Sequence, residues 1–74
     1  MTKVEFHKYL NQWKSKPSKI NKVTEYISQK LEGCSAVGIF IPDKLTDRQW
    51  RQLHEHFDCK RSFMGYIEFK RIKH

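Results

Sequence analysis

The chain has 74 residues, too few for more than one domain, which excludes large barrels and two-domain enzymes. A hydrophobic share of 38%, with 14% aromatic, suffices for one small core built around bulky rings and sets the chain apart from a disordered tail. Fifteen Lys and Arg against eight Asp and Glu give +7, a charge that speaks to polyanionic partners and not to fold.

Thr2-Lys3-Val4-Glu5 has the spacing of a capping box, in which threonine oxygen and glutamate carboxylate satisfy each other's free amides, and predicts a helix from Thr2 to Trp13. Phe6, Tyr9, Leu10 and Trp13 recur at i, i+3, i+4 and i+7, one stripe for the core. Within Lys14 to Ser18, Pro17 disfavours helical backbone at Lys16 and Ser18 offers an N-cap, so a tight helix-helix connection is expected. From Lys19 to Glu32, Ile20, Val23, Ile27 and Leu31 form a second stripe with Tyr26 at its edge, and Gly33 ends it.

Ala36 to Ile41 is short, rich in β-branched residues and closed by Pro42-Asp43, which predicts a strand with Val37, Ile39 and Ile41 on one face. Thr46 and Gln49 make a second capping box, and Leu45 and Trp50 a staple across it, starting a helix that runs to Phe57 with Trp50, Leu53 and Phe57 inward. Asp58 to Arg61 reads as a polar link. Ser62 to Ile72 then alternates: Phe63, Gly65, Ile67 and Phe69 face the core, while Met64, Tyr66, Glu68, Lys70 and Ile72 face outward.

The expected fold is a single small α+β domain, residues 1–74, in the order α-α-β-α-β, with a two-stranded sheet covered by helices. A strand-helix-strand unit with so short a link brings the last strand back parallel to the first. Two strands alone make a marginal sheet, so a homodimer through a strand edge is a second way to complete it. Cys34 and Cys59 are too few for a disulfide framework, and the N-terminus lacks the apolar region of a secretion signal, pointing to a reducing, cytoplasmic setting. Apolar runs fall far short of the roughly 20 residues that cross a bilayer, so no membrane partner is expected.

His54, His56, Cys59 and Cys34 hold ligand-type atoms. Residues two apart on a helix, however, point about 200° from each other, so no metal site is expected of them. Pro42-Asp43 followed by Glu68-Phe69-Lys70 resembles the P-D…E-x-K pattern of metal-dependent nucleases, in which carboxylates at strand ends hold magnesium. That pattern needs more sheet than this chain supplies, which makes a small nuclease the third reading. The sequence has no nucleophile elbow, phosphate loop or H-E-x-x-H; no catalytic residue, metal or cofactor is assigned.

Ile39-Phe40-Ile41, the following helix and Gly65-Tyr66-Ile67-Glu68-Phe69 together resemble part of an RNA-recognition-motif domain over residues 39–69. The resemblance implies that Phe40 and Tyr66 stack on bases from an open sheet face, with Met64 at the third stacking position and Ile39, Ile41, Ile67 and Phe69 in the core. Basic residues gather in two places: Lys14, Lys16, Lys19 and Lys22 around the helix connection, and Lys60, Arg61, Lys70, Arg71 and Lys73 around the last strand. If both fall on one side they neutralise several phosphates. The sequence therefore points to a non-enzymatic DNA- or RNA-binding protein. The alternative is an interaction module, of the phage or mobile-element accessory type, that docks on the acidic groove of another protein and modulates it.

Overall fold

A computed structural model describes residues 2–72. Helix α1 (Lys3–Ser15) is followed by a single 3-10 turn (Pro17–Lys19), helix α2 (Ile20–Leu31), strand β1 (Ala36–Phe40), helix α3 (Asp47–His56) and strands β2 (Phe57–Arg61) and β3 (Tyr66–Arg71). The result is a small α+β domain of three helices on a three-stranded antiparallel sheet, ordered β1-β3-β2.

The helix boundaries follow from local chemistry. Thr2 caps α1 and Thr46 caps α3, each hydroxyl accepting the amide of the residue three places on, and both capping boxes are complete. Lys16 turns extended (φ −128°, ψ 96°) ahead of Pro17, as the clash with the proline ring requires. The expected cap at Ser18 does not form. The 3-10 turn starts on Pro17 and runs directly into α2 without a side-chain cap, because its own i→i+3 bonds already engage those amides. Gly33 adopts the left-handed conformation (φ +75°) after α2, and the Cys34 amide bonds the Leu31 carbonyl.

The sheet corrects the two-stranded expectation and the order α-α-β-α-β. Residues 58–61 are not a link: with Phe57 they form β2, so the order is α-α-β-α-β-β. Phe57 is not in the last turn of α3. Its backbone is extended (φ −141°, ψ 157°), and helix passes into strand with no intervening loop. Strand-helix-strand still returns parallel, but the returning strand is β2. A hairpin then folds β3 back between β1 and β2, antiparallel to both, so the last strand does not run parallel to the first.

One face of the sheet meets the helices. Ile39, Ile67, Phe69, Phe57 and Cys59 join Phe6, Trp13, Val23, Ile27, Leu31 and Leu53 in a single buried cluster. Phe6 stacks on Tyr26 with centroids 4.0 Å apart, locking α1 to α2, and Tyr26 is buried, not marginal. Trp13 Nε1 donates to Gln52 Oε1 at 2.9 Å, and Gln52 Nε2 reaches the Pro17 carbonyl, so the one polar atom of the buried indole fastens α1 to α3. Trp50 is only partly buried, at the rim of the cluster.

The β2–β3 hairpin places Phe63 in solvent, 75% exposed, and not in the core as period-two alternation predicts. The strand starts only at Tyr66. Before it, Met64 (φ +57°) and Gly65 (φ +81°) form a tight turn closed by the Tyr66 amide on the Phe63 carbonyl. Two positive φ values suit the right-handed twist of a hairpin, but they strain methionine. Met64→Asn, which tolerates that backbone, should raise the unfolding free energy by about 1 kcal/mol; a denaturant midpoint unchanged or lowered would contradict the turn geometry.

Candidate nucleic-acid interface

The opposite face of the sheet is covered by no described element. Its side chains stand in three cross-strand rows set by the register: Phe40 beside Tyr66; Gly38, Glu68 and Lys60; then Ala36, Lys70 and Asp58. Phe40 and Tyr66 are 36% and 46% exposed, with ring centroids 5.2 Å apart and planes tilted by 51°. β1 and β3 are antiparallel neighbours, so residues of matching parity are brought side by side. Gly65 is required beneath this pair: a Cβ there would stand 2.9 Å from Phe40 Cε2, at a φ that already disfavours other residues.

Most of the basic residues singled out by the sequence are engaged in local contacts. Lys14 pairs with Asp43 at 3.0 Å, Lys22 with Glu25 at 3.9 Å, and Lys19 lies 5.9 Å over the Tyr9 ring, while Lys16 is exposed at the end of α1. Arg61 donates to the carbonyls of Ile41 and Asp43 and lies 5.6 Å over Trp50, which fixes the loop after β1. Arg71 donates to the Leu31 carbonyl, putting a cation on the exposed carbonyl end of α2. Both arginines are thus held by backbone. Lys60 and Lys70 do reach the open face, but Lys70 lies 3.5 Å from Glu68, and Asp58 stands beside it. Lys73 lies outside the described residues.

Sequence reasoning missed Lys3, His7 and Lys30. Together with Phe40 and Tyr66 they line a cleft of about 230 Å³ along the free edge of β1. The signal was weak because these cations are scattered along the chain and converge only through the pairing of α1 with α2.

The other chemical candidates are separated in space. Asp43 faces the helical layer, held by Lys14, whereas Glu68 and Lys70 stand on the open face. His54 stacks near Trp50 and brings Nδ1 to 3.8 Å from Cys59 Sγ, while His56 lies beside Phe57. Among the described residues no three His, Cys, Asp or Glu gather where they could hold a metal ion. The His54–Cys59 contact is not an activated nucleophile. Burial, then the charge of Asp58, pushes the Cys59 thiol from 9.0 up to about 11, the reverse of what thiolate chemistry needs.

A thiol whose pKa is raised by folding stabilises the fold while protonated. That contribution is complete below about pH 9 and is lost as the pH climbs toward about 11. Relative to Cys59→Ala, the wild-type chain should therefore lose additional stability between those two values in denaturant titrations. Parallel pH profiles would refute the assignment. At pH 8 an alkylating reagent should label exposed Cys34 and leave Cys59 protected until unfolding.

No helix among the described residues is long and apolar enough to cross a membrane. Compared with protein-family models, curated proteins and solved structures, the chain matches none.

Proposed function

We propose that the chain is a small non-enzymatic protein that binds single-stranded nucleic acid on the open face of its sheet, with Phe40 and Tyr66 stacking on bases. The observation that carries this reading is an exposed aromatic pair side by side on an uncovered sheet, in a chain of net charge +7. Aromatic faces accept any base, and an uncovered sheet gives an unpaired strand room to lie flat. The antiparallel adjacency of β1 and β3 supports the reading further, since the two motif strands of RNA-recognition-motif domains also run antiparallel. Lys60 and Lys70 flank the path, although their acidic neighbours restrict what they add in charge.

Binding of labelled single-stranded RNA or DNA should be measurable at low salt and fall as salt rises. Tyr66→Ala, which keeps the net charge, should weaken it by about 1–3 kcal/mol, the worth of one stacked base. Tyr66→Phe should retain it. Absence of binding to any single-stranded probe at about 50 mM salt overturns the proposal.

The hairpin tip favours a second reading, docking on another protein. Phe63 and Met64 are 75% and 78% exposed, and Met64 is held in a strained backbone where asparagine or glycine would be easier. If this reading holds, a partner protein retained after nuclease treatment should be lost with Phe63→Ser and kept with Tyr66→Ala. The opposite pattern argues against the tip.

A further inference from the structure

The open face carries two lysines against two acids, so the excess positive charge has to act elsewhere if the aromatic pair holds bases. The cleft beside β1 starts at Phe40 and Tyr66, passes Gly38, and reaches Lys3, His7 and Lys30 on the two N-terminal helices, with Tyr26 among its walls. We propose that this cleft is the backbone track of the bound single strand: Lys3 and Lys30 each neutralise one phosphate, and His7 supplies a further polar contact. The inference rests on the base-stacking reading and adds to it where the phosphates run.

Charge complementarity selects the occupant. None of the cleft's lining residues is acidic. Among the described residues neither Lys3 nor Lys30 is in an ion pair, whereas Lys14, Lys22 and Lys70 are. Lys30 Nζ is instead 5.4 Å over the Tyr26 ring, which holds the ammonium near the cleft wall while leaving it free to take an anion. A second copy of the chain would bring its own +7 against these cations, and like charge opposes that pairing.

Gly38 opens the way. A glycine inside a strand weakens it, and here neither a positive φ nor crowding demands one, since an added Cβ would meet only Tyr66 Cδ1 at 4.0 Å. The missing side chain leaves a gap between the aromatic pair and the cleft. β1 is also an edge strand, so its outward amides and carbonyls have no strand partner and can bond sugar and phosphate oxygens. The volume, about 230 Å³, is below the ~300–1,000 Å³ of small-molecule pockets and suits a passing segment of polymer.

The pairing of α1 with α2 supplies the control. It sets Lys3 near Lys30 and sends Lys16 and Lys22 toward the other end, Lys16 just past the end of α1 and Lys22 eight residues, about 12 Å, from Lys30 along α2. Binding of oligo(U) and oligo(dT) of about ten nucleotides, a length within the site sizes of small single-strand binders, is measured against salt. For Lys3→Gln/Lys30→Gln the slope of log affinity on log salt should shrink by about 1.4, roughly 0.7 per phosphate lost. Affinity at about 50 mM salt should drop tenfold or more. Lys16→Gln/Lys22→Gln, with the same change of charge, should leave the slope unaltered. An unchanged slope in the cleft variant, while Tyr66→Ala still weakens binding, overturns the track and leaves base stacking standing. Equal losses in both double variants assign the effect to diffuse charge and also overturn it. No binding by the wild-type chain removes both readings.

Discussion

Burial of the central strand against α2 is the contact on which the rest of this structure depends. Ile67 and Phe69 of β3 are fully buried and belong to the same cluster as Val23, Ile27 and Leu31, which form the inner stripe of α2. A chain this short has apolar material for one such layer. Helices therefore cover one side of the sheet, and the other side is left to its outward-facing residues. The uncovered face thus follows from the size of the core, and its chemistry is set by the strand positions of opposite parity.

Elements with strong local signals were legible in the sequence. Both capping boxes, the break ahead of Pro17 and the glycine after α2 are short-range effects, decided within a few residues, and each appears at the expected place. β2 was not legible. It offers only Phe57 and Cys59 as inward apolar residues, in a polar frame, and it starts where a helix would have one more turn to give. Its strand character comes from pairing with β3, a tertiary effect that propensity does not carry. Phe63 was misread for the complementary reason. Alternation extends across the turn in sequence, but the positive φ values at Met64 and Gly65 break the pleat there.

The placement of the candidate residues was legible in the sequence for the aromatic pair and not for the cations. The parity of Phe40 and Tyr66 follows from period-two alternation alone, and the register sets them side by side. Counting cations, by contrast, cannot reveal what each is doing. Arg61 and Arg71 are engaged by backbone carbonyls, and Lys14 by a carboxylate 29 residues away. Lys3 and Lys30, which share a cleft with the aromatics, come from the start of α1 and the end of α2, a proximity that exists only once those helices pair.

The order β1-β3-β2 has a consequence for biosynthesis. The middle of the sheet is built from the third strand in chain order, residues 66–71, inserted between the two made earlier. While that segment is still inside the ribosomal exit tunnel, β1 and β2 have no neighbour to bond, and α2 has no sheet to cover. Closure of the domain must then wait for this stretch to emerge. A nascent chain halted short of it would present unshielded apolar helices to chaperones in place of a partly finished fold.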